Sequence, residues 1–272
     1  MSEPRLADGL LRHDRYITVA ALFLAVTAAV AFILAGGGTG MPVIDMLAHT
    51  GPAGALLAGT SDVVAAVRWT PGYALTIFVM WWLMMIAMMV PSAAPAILLY
   101  GALNRSQGRW ASLLFVSGYL SVWAGFSTIA TATQGVLAAR GLISPMFMTV
   151  GTLWLGAAVL VGAGLYQFAP LKAACLSHCR GPVDALTRHR RTGRAAAFRM
   201  GLLHGCFCLG CCWALMLLLF VGGIMNIWWI LAITIYVAIE KLAPGGARLA
   251  RPFGIALILA GLALVLHVVV GA

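Results

Sequence analysis

The chain has 272 residues, of which 62% are hydrophobic and only 9% charged, with a formal net charge of +10. Soluble domains carry roughly 25% charged residues, so this composition excludes a water-soluble globular protein. It leaves an all-α polytopic membrane bundle as the expected fold.

The first 15 residues hold Arg5, Arg12 and Arg15 and read as a cytoplasmic N-terminal segment. The apolar run from Tyr16 to about Ala35 is long for the core of a signal peptide, and further runs follow it. It reads as a retained first helix. A helix crosses the hydrocarbon with about 20 apolar residues. On that measure spans are expected at about 16–36, 73–100, 110–134, 145–169, 200–223, 226–241 and 252–270. Residues 16–272 then form one transmembrane domain of about seven helices. An outer loop occupies about 37–70 and a basic cytoplasmic loop about 170–199. The 226–241 segment is short and follows a tight turn from Gly222-Gly223 to Asn226; if it is re-entrant, the count is six.

The basic residues fit this layout. With the N-terminus in the cytoplasm, 15 of the 17 Lys and Arg fall inside, and only Arg68 and Arg140 fall outside. That is the positive-inside bias. Placement therefore accounts for the net charge without nucleic acid, and the run Arg188 to Arg199 reads as a topology signal that also meets anionic headgroups. The outer segment carries Asp45, His49 and Asp62 and no motif.

The second span is rich in methionine: Met80, Met84 and Met88 form an i, i+4, i+8 stripe, with Met85 and Met89 beside it. Pro91 and Pro95 follow, and proline removes a backbone donor, so a bend or break is expected just past the methionines. A methionine stripe often only fills an irregular core. Thioethers are also soft ligands.

At the start of the basic loop, Pro170 and Gly181-Pro182 frame a short helix. It carries Cys175, His178 and Cys179, whose i, i+3, i+4 spacing puts two thiols and an imidazole on one face. Next, no charged residue lies between Arg199 and Glu240, and that stretch opens with His204, Cys206, Cys208, Cys211 and Cys212. At about 100° per residue, His204, Cys208, Cys211 and Cys212 share an arc of about 100°, with Cys206 on the far side. Gly201, Gly205 and Gly210 leave room for a second backbone. A single membrane cysteine packs as a small hydrophobe; three beside a histidine suggest a soft-metal site. The second and fifth spans run in opposite directions, and at about 1.5 Å per residue Met88 should lie level with Cys206–Cys208 and Met80 with Met216. The six cysteines fall toward the reducing side of the membrane, which argues against structural disulfides.

Other polar residues read blandly. Glu240 and Lys241 look like an interfacial pair, and His267 and His49 like isolated histidines. The sequence offers no phosphate loop, no Ser/His/Asp arrangement, no paired carboxylates and no ATPase motor, so no enzymatic activity is expected.

Three stretches together resemble a known bacterial family. They are Trp82 to Pro91 (WLMMIAMMVP), Gly164 to Cys179 (GLYQFAPLKAACLSHC), and Gly210 to Met216 continuing to Glu240-Lys241. The family is known as a predicted metal-binding integral membrane protein, a domain of unknown function, and the likeness covers roughly 75–270. It implies a multi-pass metal-handling protein of the bacterial inner (plasma) membrane. Within it Cys175, His178, Cys179, Cys211 and Cys212 fit the family pattern more closely than His204, Cys206 and Cys208. The resemblance names neither the metal nor a direction of movement.

The expected function is binding, transfer or transport of a soft metal by ligand exchange, with Cu(I) first and Zn(II) second. Candidate ligands are Cys175, His178, Cys179, His204, Cys208, Cys211, Cys212, Met80, Met84 and Met88. Expected partners are the lipid bilayer and a metallochaperone or partner membrane protein. Two alternatives stand beside this. One is a thiol–disulfide or electron carrier using Cys208-x-x-Cys211 or Cys211-Cys212. The other is an assembly subunit whose cysteines are packing.

Overall fold

The computed structural model describes residues 19–20, 22–36, 69–104, 109–143, 149–181 and 193–270. The N-terminal arginines, the acidic outer segment, Arg105 and the basic stretch 182–192 lie outside the described residues. Those that are described are helical apart from turns and one isolated bridge, Ile143 to Val150. The helices are α1 (Leu22–Leu34), α2 (Pro71–Leu103), α3 (Arg109–Ala139), α4 (Leu153–Tyr166), α5 (Pro170–Arg180), α6 (Arg194–Gly222), α7 (Ile227–Leu242) and α8 (Ala250–Val270). A 3-10 turn, Gly246–Leu249, leads into α8.

Local chemistry sets the ends. Thr70 caps α2 by accepting the Tyr73 amide at 3.2 Å, with Pro71 in the first turn where its missing donor costs nothing. Asn226 caps α7 through the Trp228 amide at 3.1 Å. Gly223 ends α6 at φ 97°, a conformation that strongly favours glycine.

Four helices are long and apolar enough to cross a membrane: α2, α3, α6 and the segment ending in α8. α4 and α5 pass the same test together but are bent by 64°, which makes five if the pair is one span. Seven were expected. α7 is apolar but short, at 16 residues, and the first expected span is described only in part, as α1 with residues 19–20 ahead of it. The expected 145–169 span starts only at Leu153 and turns sharply after Tyr166. The reason is Pro170: the preceding Ala169 is driven to an extended conformation (ψ 134°), so the helix cannot run on.

α2 departs from expectation in the other direction. It runs unbroken through Pro91 and Pro95. Prolines are tolerated in such helices where neighbours supply replacement hydrogen bonds. Separately from the carbonyls that the prolines free, those of Ala87 and Pro91, the Met89 carbonyl accepts Ser92 Oγ at 2.9 Å and Tyr119 Oη at 3.3 Å, which ties α2 to α3.

α6 is the centre of the bundle. It packs against α3, α5, α4 and α7. The α3–α6 crossing is close because Gly118 faces the Phe198 carbonyl and Gly201 faces the Phe115 backbone. α4 and α8 pair in the same way through Gly164, Gly254 and Gly261. Such small-residue contacts are what hold helices together in lipid. Large side chains left exposed, including Leu231, Ile235, Leu259, Leu262 and Leu266, suit a hydrocarbon surround.

Candidate metal site

The α6 face predicted from helical spacing points into the bundle. Cys208, Cys211 and Cys212 are each at most 1% exposed, and Cys206 on the opposite side is exposed. Two thiols bond backward to the carbonyl of Cys208, Cys211 Sγ at 3.1 Å and Cys212 Sγ at 2.9 Å. Those bonds fix the rotamers of both sulfurs.

α5 brings a second set of thiols. Because of the bend at Pro170 it lies against α6, and Cys179 Sγ comes within 3.9 Å of Cys211 Sγ. The Cys175 thiol packs directly on Gly210, whose missing side chain makes the space. The Tyr166 hydroxyl donates to the Gly210 carbonyl and its ring meets Trp213 edge-on at 5.1 Å, which pins the α4–α5 corner beside the cysteines.

α2 contributes a thioether. All five methionines of the stripe are buried, and the Met89 sulfur lies 3.7 Å from Cys212 Sγ. Helices α2 and α6 therefore meet through their long side chains. Their antiparallel offset differs from expectation by about five residues, close to one and a half turns: Met89 is level with Cys212, and Trp81 stacks near Phe220 at 5.2 Å. Hydropathy locates span centres and does not encode axial offset.

Two expected ligands take other roles. The His204 ring is buried and packs between Phe115 (5.8 Å) and Tyr119 (5.9 Å). His178 is exposed, stacks on Phe207 at 4.1 Å, and lies with Nδ1 3.1 Å from the Ala174 carbonyl. Among the described residues no three His, Cys, Asp or Glu side chains form a ready-made coordination shell. The sulfurs meet in pairs.

The sequence reading missed what stands among them. Lys241 is buried, and its Nζ lies 3.0 Å from Cys208 Sγ, 3.5 Å from Ser92 Oγ and 4.0 Å from Met89 Sδ. Tyr119 Oη also contacts Cys208 Sγ, at 3.1 Å. Glu240 and Lys241 do not pair with each other. Successive helical residues project about 100° apart, and Glu240 instead meets Lys172 at 2.8 Å, both ends almost fully buried. Tyr236 donates to the same carboxylate at 3.2 Å. Arg180 donates to the carbonyls of Glu240 and Ala243, tying α5 to the end of α7. The available signal was a lysine closing a helix that is otherwise apolar.

All six cysteines are free thiols. Four of them, one thioether and one ammonium thus occupy the junction of α2, α5, α6 and α7. A family model described as PpoB2, copper chaperone, matches residues 78–264, which spans every one of these groups. No curated protein and no solved structure matches the chain.

Proposed function

The chain belongs to this copper-chaperone family, and from that premise we propose that it takes up copper as Cu(I) at the buried sulfur cluster and hands it on by ligand exchange. Thiolate and thioether donors together favour Cu(I) over hard cations, with Zn(II) the second choice. The observation that carries the reading is the 3.9 Å approach of Cys179 to Cys211 across two helices. An ion bonded to both sulfurs at about 2.3 Å would subtend an angle of about 116°, which leaves room for a third donor. Cys208 and Cys212 on the same face of α6, and Met89 beside Cys212, are the candidates.

His178, exposed on α5, serves in this reading as the entry side, and Cys175, buried on the same helix against Gly210, as an inner donor. The Met80, Met84 and Met88 row offers weak soft donors further along α2, and His204 supports the face from behind. Membership of a copper-chaperone family does not favour a thiol–disulfide carrier or a purely structural subunit. The donor or acceptor of the metal would be a metallochaperone or a second membrane protein, and the setting a bacterial inner membrane crossed several times.

The test is metal content of the full chain purified under reducing conditions from copper- and zinc-supplemented cells. Near-stoichiometric copper is expected in the native protein and in Cys206→Ser. It should be lost in the double variant Cys179→Ser/Cys211→Ser. Unchanged copper in that double variant would overturn the assignment.

A further inference from the structure

The sulfur cluster contains an ammonium that, among the described residues, pairs with no carboxylate. Lys241 Nζ touches two of the proposed soft donors, Cys208 Sγ at 3.0 Å and Met89 Sδ at 4.0 Å. Glu240, next to it in the chain, is already matched by Lys172 at 2.8 Å and by the Tyr236 hydroxyl. Arg180 adds a second cation at the same end of α7, spending its donors on backbone carbonyls. Among the described residues Lys241 makes no ion pair with a carboxylate. A buried ammonium costs several kcal/mol unless it is matched, and the groups that face this one are the sulfurs of Cys208 and Met89, which ties its position to the cluster.

We infer that Lys241 is a specificity-determining residue that biases the site toward monovalent cargo. The inference rests on the copper reading above and deepens it. The physical argument is a difference, so it does not depend on how many thiolates engage. For a given set of sulfur ligands the attraction also grows with the charge of the ion, but the ammonium adds a repulsion of its own that is twice as strong for a divalent ion as for a monovalent one, so removing it relieves the divalent ion more. In a medium of low dielectric constant that extra repulsion is large at a few ångströms. Cu(I) and Zn(II) share an affinity for thiolate, so soft-ligand chemistry alone separates them poorly in a cysteine site. A built-in cation separates them by charge. Ser92 Oγ, 3.5 Å from Nζ on the side of α2, gives the ammonium a polar neighbour when metal occupies Cys208.

The experiment measures Cu(I) and Zn(II) affinities of the reduced full-length protein by competition with chelators, for the native chain, Lys241→Met, Lys241→Gln and Lys241→Arg. The Cu(I)-to-Zn(II) affinity ratio should fall by roughly a hundredfold in Lys241→Met and Lys241→Gln, the order set by one unit charge nearby. Lys241→Arg should keep the native ratio. A role in packing alone would change stability and leave the ratio where it was. A ratio that is the same in all four proteins overturns the inference and leaves the copper reading standing. A native chain that binds no Cu(I) overturns both. Should the neutral variants fail to accumulate, Ag(I) and Cd(II) titrated into the native protein decide the matter, because they are soft and differ by one charge. Cd(II) held as tightly as Ag(I) would sink the proposal.

Discussion

Replacing Glu240 by glutamine leaves the Lys172 ammonium, 1% exposed, without its counter-charge in the interior. Breaking a buried pair from one side typically costs 3–5 kcal/mol, whereas replacing both partners by apolar groups of similar size is often neutral. Glu240→Gln and Lys172→Met should therefore each lower the thermal midpoint of the detergent-solubilised protein. The double variant Lys172→Met/Glu240→Leu should recover most of the loss. If the double is as unstable as either single, the pair is not the unit that matters. The outcome also bears on the metal cluster, because Glu240 left uncompensated could turn toward Lys241 and cancel the charge that faces Cys208. In Lys172→Met the Cu(I)-to-Zn(II) ratio should accordingly move in the same direction as in Lys241→Met.

At the level of elements, the site depends on how closely α3 and α6 cross. A side chain at Gly201 would run into the Phe115 backbone, while one at Gly162 on α4 meets nothing within 4 Å. Gly201→Val is expected to destabilise by about 1–3 kcal/mol or more. It should also weaken copper retention, since Tyr119 lies one turn beyond Phe115 on the same helix and contacts Cys208. Gly162→Ala should be neutral or slightly stabilising. Thermal midpoint and metal content measured together on both variants check this; equal effects from the two would break the link between crossing and site. The helical arc that buries Cys208, Cys211 and Cys212 and exposes Cys206 was legible in the sequence, because it depends only on the period of one helix. So was the short helix bounded by Pro170 and Gly181. What periodicity cannot carry is the relation between helices: the offset that sets Met89 against Cys212, the 64° bend that lays Cys179 on Cys211, and the reach of Lys241 across to Cys208. Those follow from tertiary packing around the glycine contacts. No break occurs at Pro91 and Pro95, where α2 stays helical throughout.

For the molecule as a whole, the path of the chain after α6 decides on which face the C-terminus lies. The turn at Gly223 to Asn226 is tight, so α7 runs back alongside α6. Its last turn brings Lys241 level with Cys208, which is 14 residues, or about 21 Å, before the end of α6. Glu240 and Ala243 there meet Arg180 at the end of α5. α7 is thus anchored deep in the bundle by its C-terminal end, and does not loop back to the face it came from. α8 then starts from that depth, preceded by Arg248 and followed at once by Arg251. It climbs antiparallel to α4, with Gly254 beside Gly164 and Gly261 beside Ala157. α8 therefore runs toward the end of α6 that is opposite Arg194, whether or not the 16-residue α7 counts as a full span. The positive-inside rule predicts from the basic residues at the Arg194 end that this face is the cytoplasmic one. A reporter inserted in the basic segment near Arg190 should accordingly read as cytoplasmic, and one fused after Ala272 as external. Two reporters on the same side would mean that α7 enters and leaves by one face, and would remove Lys241 from the sulfur cluster.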